Sequence, residues 1–232
     1  MSMRLYLAMT AGEYRSAAAL PEAVAWMACH FSCYGTGLCN LPGSLPEGAM
    51  IIVNDRTPVH RHDPALIVEQ LSQLQEALRP ACILLDLQRR DMPETAQIAR
   101  RITAALPCPV GISQHYAAEL DCPVFLPPPP PHLCLEEHLA PWSGREIWLE
   151  AALDASVITL TSEGALIESA DPEPLATPNF TDRQLHCRYR ITLEEKAAKF
   201  TLHRDWEQLQ AMLEEAENFG VTQAVGLYQQ LG

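Results

Sequence analysis

Two polar residues end one of the most apolar stretches of the chain. In ACILLDLQRR, residues 81–90, the run Ala81–Leu85 carries no polar side chain, Asp86 then interrupts it, and Gln88 follows two positions later. A two-residue repeat puts both on the same side of a strand. A carboxylate at the tip of a buried strand is costly unless a partner offsets its lost hydration. One reading makes Asp86 an acceptor for Ser113, Arg89 or Arg56 that merely holds a rim together. The other makes it a base at the mouth of a pocket, with the Gln88 amide beside it to donate and accept hydrogen bonds. Other polar residues fall at comparable strand ends: Asn54, Asp55 and Arg56 after MIIV, Ser113 to His115 (with Gln114 between them) after CPVGI, Glu150 in REIWLEAAL, and Tyr228 at the end of VTQAVGLY.

Those residues can converge only if the strands do. Seven apolar segments read as strands: 4–9, 48–55, 81–88, 108–114, 122–127, 145–153 and 221–228. WMACHFSCY, residues 26–34, reads equally as an eighth strand or as the end of a first helix. Between them lie amphipathic stripes: Ile67, Leu71, Leu74 and Leu78 in 63–78, Ile98, Ile102, Ala105 and Leu106 in 92–106, and Trp206, Leu209, Leu213 and Ala216 in 205–220. Asp63 followed by Pro64 is a helix start, and Gly220 is a stop. Strands apolar throughout that alternate with helices imply a parallel sheet covered by helices, either open or closed. Eight strands in a 232-residue chain give a compact (β/α)8 TIM-type barrel, with its site at the C-terminal ends of the strands. Residues 1–232 form one such domain. Within it, 155–204 alternates with period two around the turn Ser162-Glu163-Gly164-Ala165 and reads as an antiparallel β insertion between the seventh strand and the last helix. The five prolines at 127–131 make a stiff extended turn.

Composition narrows the classes of function. The formal net charge is −13 with Lys and Arg scattered, which disfavours nucleic acid and anionic membrane surfaces as partners. No apolar run approaches the ~20 residues of a membrane span, so a cytoplasmic location is expected, with the eight cysteines as thiols. Cys29, Cys33 and Cys39 with His30 match no usual zinc spacing, so buried thiols are expected and no metal or cofactor is. His60 and His62 fall in a segment read as a solvated loop. No Gly-x-Ser-x-Gly elbow and no strand-to-helix glycine cradle appears. Nothing in the pattern assigns an oligomeric state.

The run ILLDLQ, with the chain's ending FTLHRDWEQLQAMLEEAENFGVTQAVGLYQQLG, resembles the family-18 glycoside hydrolases, nearest to the bacterial branch that cuts spore-cortex peptidoglycan. That family's fourth strand carries Asp-Gly, an apolar residue, Asp, an apolar residue, Asp, an apolar or aromatic residue, then Glu. Here those positions are Ala81, Cys82, Ile83, Leu84, Leu85, Asp86, Leu87 and Gln88. The last Asp is kept, the first two are Ala and Leu, and the acid is an amide. The resemblance implies an Asp that orients the substrate's acetamide, a Glu that protonates the leaving oxygen, and an aromatic at the end of the last strand, where Tyr228 stands. With Gln88 at the acid position, the expectation is a degenerate glycoside-hydrolase-like barrel that binds an N-acetylglucosamine-type oligosaccharide through Asp86, Gln88, Tyr228, Asp55, Arg56, Gln114 and Glu150 without family-18 hydrolysis. Two alternatives stand beside it: an active enzyme on another small molecule with Asp86 as base, assisted by Asp55, Arg56 or Glu150, and a scaffold with no ligand.

Overall fold

A computed structural model describes residues 3–32, 34–56, 62–89, 93–118, 120–173, 175 and 179–232. In chain order the strands and helices are β1 (Arg4–Met9), α1 (Ala11–Ser16), β2 (Val24–Phe31), β3 (Leu38–Cys39), β4 (Met50–Asn54), α2 (Pro64–Leu78), β5 (Cys82–Asp86), α3 (Pro93–Ala105), β6 (Val110–Ser113), α4 (Gln114–Ala117), β7 (Val124–Leu126), α5 (Leu135–Leu139) and β8 (Ile147–Ala151). The antiparallel strands β9 (Asp154–Thr161), β10 (Gly164–Ala170), β11 (Phe180–Asp182), β12 (Cys187–Glu194) and β13 (Ala197–Arg204) follow. The chain ends with α6 (Trp206–Ala216), β14 (Val221–Leu227) and α7 (Tyr228–Leu231).

Strands β1, β2, β4, β5, β6, β7, β8 and β14 pair in parallel in that order, and β1 pairs with both β14 and β2, so the sheet closes into an eight-stranded barrel. The expected (β/α)8 fold is present. The ambiguous segment resolves as a strand because β2 has parallel neighbours on both sides, β1 and β4. Several outer helices are brief, α1 spanning six residues and α4 four. A five-stranded antiparallel sheet, ordered β10-β9-β13-β12-β11, stands between β8 and α6 where the insertion was expected.

Alternation along the strands sorts apolar residues into two compartments. Outward positions such as Ile51, Leu85, Ile112 and Leu149 meet Ile67, Leu71, Ile98, Ile102, Leu209 and Met212 of α2, α3 and α6. Two details of the stripes differ from expectation. Ala105 is exposed and Ala99 is buried in its helix, while Trp206 is 41% exposed and Met212 takes the inward place. Asp63 caps α2 as expected, its carboxylate accepting from Ala65 N at 2.9 Å. Gly220 ends the α6 segment at φ +87°, a conformation that favours glycine. The proline run is anchored by the fully buried Arg204, which donates to Pro129 O at 2.6 Å. The seven described cysteines are free thiols, and Cys33 and His60 lie outside the described residues. His62 is not a solvated loop side chain; it stacks on Phe31 with ring centroids 4.9 Å apart. No helix among the described residues is long and apolar enough to cross a membrane.

The barrel interior is filled by Tyr6, Met50, Ile52, Leu84, Phe125 and Trp148, among others. Trp148, fully buried, occupies the centre because Gly111 on β6 leaves room for its ring: a Cβ there would lie 2.2 Å from Trp148 Cε3. Glu146 accepts the indole N–H at 3.1 Å, so the ring's one polar atom is satisfied. Gly111→Ala is therefore expected to destabilise the protein by about 1–3 kcal/mol, the usual range for overpacking. Urea unfolding checks this, and most of the loss should vanish when Trp148→Leu is made in the same chain.

Candidate active site at the barrel mouth

Above Ile52, Leu84, Phe125 and Val225 the barrel opens into a cavity of about 360 Å³, within the range of small-molecule sites. The parity that faces Ile52 and Leu84 inward carries Asn54 and Asp86 into the same space one layer higher, since Ile52 pairs with Leu84 and Asn54 with Asp86. Asn54, Arg56, Asp86, Gln88 and Glu150 supply its charged and amide groups; Met27, Phe125 and Leu227 add apolar surface.

The β5 end is held from behind. Asp55, 2% exposed, accepts Gln88 N with one carboxylate oxygen and Arg89 N with the other, both at 2.9 Å. Ser113 Oγ accepts Leu87 N at 2.9 Å and donates toward the Leu85 carbonyl at 3.3 Å. Tyr116 donates its hydroxyl to the Arg89 carbonyl. Asn54 spans the irregular register of β2, its amide nitrogen donating to Met27 O and Cys29 O at 3.2 Å each. The backbone that presents 86 and 88 thus has its polar groups occupied by neighbouring strands.

Within the cavity, Gln88 Nε2 donates to Asp86 Oδ1 at 2.5 Å. Burial raises the Asp86 pKa and is opposed by this amide, while the Asp55 carboxylate raises it further and Arg56 lowers it. Glu150 projects from β8 into the same cavity, and its pKa is raised to about 7 by burial, then by the negative charges of Asp86 and Asp154. A carboxyl that titrates near neutrality can hold or release a proton at working pH, the property required of a general acid or base. The pair is one carboxylate stabilised by an amide and one carboxyl without such support.

The structure brings together four of the seven residues expected at the site: Asp86, Gln88, Arg56 and Glu150. Glu150, left open by the sequence, reaches the cavity. Asp55, expected to contact ligand, has both oxygens engaged by backbone amides and acts as the loop's clamp. Gln114 begins α4 and Tyr228 begins α7, and neither lines the cavity. Tyr228 leaves the wall because β14 ends at Leu227 and the chain turns into a helix, with Leu231 seated against Gly226. The aromatic surface comes instead from Phe125 on β7. Inward parity within VFL, one residue of three, was the signal that could have pointed to it. No group of three or more His, Cys, Asp or Glu poised for a metal ion occurs among the described residues.

A closed parallel barrel of this kind recurs in solved structures of glycoside hydrolases and a related agglutinin. The spore cortex-lytic enzyme SleL of Bacillus cereus is similar over 100% of this chain and 72% of its own, with TM-score 0.55 and 10% identity. A GH18 chitinase of Cycas revoluta in complex with (GlcNAc)3 is similar over 96% of this chain and 94% of its own, with TM-score 0.58 and 10% identity. A chitinase-like agglutinin of Robinia pseudoacacia is similar over 98% of this chain and 95% of its own, with TM-score 0.58 and 9% identity. No protein-family model and no curated protein matches the sequence. The likeness is one of fold, the one that the ILLDLQ strand and the chain's ending lead one to expect.

Glu150 generates a prediction about stability. Its folded pKa of about 7 lies above the ordinary 4.5, so its contribution is fully present below about pH 4.5 and is lost as pH rises through about 7. Glu150→Gln should remove that part of the pH dependence and raise stability relative to the parent above pH 7. Chemical denaturation between pH 4 and 8 measures it; an unchanged slope would contradict the burial of this carboxylate.

Proposed function

We propose that this barrel binds an N-acetylglucosamine-type saccharide at its mouth and does not hydrolyse it by the family-18 route. The observation that carries the reading is the Gln88 amide donating to Asp86 in the lining of the cavity. At the position where the resemblance calls for a proton donor, the side chain has no acidic proton. Loss of a general acid typically removes about 10²- to 10⁴-fold in rate. Binding does not need that proton. Asp86 can accept from an acetamide N–H, Gln88 offers its carbonyl oxygen, Arg56 supplies donors at the rim, and Phe125 offers an apolar face to a sugar ring. The complex of the Cycas chitinase with (GlcNAc)3 and the agglutinin character of the Robinia protein support a saccharide ligand and a binding role on this fold. An open cavity of this size weighs against a scaffold with no ligand.

Calorimetric titration with (GlcNAc)3 to (GlcNAc)5 tests the proposal directly. Binding is expected without release of reducing ends, and Asp86→Ala should weaken it at least about tenfold, the cost of losing a charge-assisted hydrogen bond. Absence of binding to every oligomer would overturn the saccharide assignment.

Restoring the acid is the complementary test. Gln88→Glu should produce measurable cleavage of an aryl N-acetylglucosaminide, on the order of 10²-fold or more above the parent. No gain in a variant that still binds would count against a hydrolase-type pocket.

A second reading is favoured by Glu150: a carboxyl with pKa about 7 facing Asp86 could serve an enzyme acting on another small molecule. In that case turnover would be lost in Glu150→Gln and unaffected by Gln88→Ala.

A further inference from the structure

The insertion sheet has two unlike faces. On one, Ile167, Ile158, Phe200 and Ile191 stand in register across four adjacent strands. Leu160 and Leu193 lie two residues further along their strands on the same side, and Phe180 joins from β11, packed on Tyr189 with ring centroids 5.5 Å apart. Leu160, Ile167, Phe180, Ile191 and Leu193 are between 41% and 80% exposed. The opposite face carries Glu168, Thr159, Lys199 and Thr192, and the described residues of the 171–175 segment lie against it beside Arg190, Thr201 and His203. Asp171, Glu173 and Leu175, described residues between β10 and β11, therefore border the polar face. The apolar face is left uncovered among the described residues.

We infer that two copies of this chain associate through the apolar face of the insertion sheet, packed face to face about a two-fold axis. Three observations favour a second copy as the occupant. First, area: β9, β12 and β13 have eight residues each, β10 seven and β11 three, so the sheet spans at most roughly 24 by 27 Å at ordinary strand spacing and rise, its barrel end at Cys187 and Leu202 being already buried. Stacking two such faces hides at most on the order of 1,300 Å², the size of a standard specific interface, and about 650 Å² per copy is at the upper end of what a monomer usually leaves bare. Second, charge: residues 155–204 hold seven carboxylates against six Lys and Arg, so all but one of the chain's 13 net negative charges lie elsewhere. Two acidic copies can approach through this surface with little repulsion, and none of the five exposed side chains named on the apolar face is charged. Third, form: a sheet apolar on one side is half of a β-sandwich, and its natural complement is another such sheet about 10 Å away. One patch facing itself satisfies the self-complementarity of a two-fold contact.

Sedimentation equilibrium of the full chain, from low to high micromolar concentration, tests the inference. The expected mass at the upper end is twice 25.7 kDa. Leu193→Glu and Ile167→Glu, each placing a charge where it would be buried, should separately raise the dissociation constant by about tenfold or more. Leu166→Glu, on the same strand as Ile167 but 56% exposed on the opposite face, should leave it unchanged. All three side chains already meet solvent in the single chain, and circular dichroism checks that folding is retained. A mass of one chain at every concentration, or equal effects of Leu166→Glu and Leu193→Glu, would overturn the dimer.

Discussion

Closure of the barrel around Trp148 is the constraint on which the site depends. Eight parallel strands form a ring whose interior must be filled by side chains, and one indole ring occupies the middle only because Gly111 offers no Cβ across from it. Ile52, Leu84, Phe125 and Val225 belong to that packed interior and line the cavity. Side chains one layer above it, Asp86 on β5 and Glu150 on β8, cannot sink into the core and instead face a shared space. Their separation in sequence is large, and the ring makes them neighbours.

Electrostatics then divides the labour between the two carboxyls. Asp86 receives an amide hydrogen and lies near Arg56, which offset part of its burial. Glu150 has burial and two negative neighbours, and so holds its proton to about pH 7. A pair of carboxyls whose surroundings push them to different affinities for the proton is the ordinary way a site gains two chemical roles from one residue type. Here Glu150 holds its proton from β8, while Asp86 on β5 is paired with the Gln88 amide.

Much of this was legible in the amino-acid order because two-residue alternation is so regular in parallel strands. The same parity that buries Ile52 and Leu84 puts Asn54 and Asp86 at the mouth, and the change of period after residue 154 marks the insertion. What escaped had physical causes. Val24–Phe31 lacks the polar interruptions that tell a strand from a helix, and only pairing with β1 and β4 decides it. Asp55 looks like a site carboxylate in sequence, yet both its oxygens serve the backbone of the neighbouring loop, a long-range contact that no local pattern encodes. Tyr228 follows an apolar strand and reads as its last residue, whereas the chain has already turned into a terminal helix. The reach of Glu150 depends on ring closure, which spacing along the chain does not express.

The clamp made by Asp55 has a consequence of its own. It grips the main-chain nitrogens of residues 88 and 89, so the β5 tip is aimed by atoms common to every amino acid. The side chain at 88 then behaves as an interchangeable head on a fixed mount: an amide, a carboxyl or a hydroxyl could occupy it while the strand keeps its path. The side chain presented at position 88 can therefore change through one codon, without refolding the barrel that carries it.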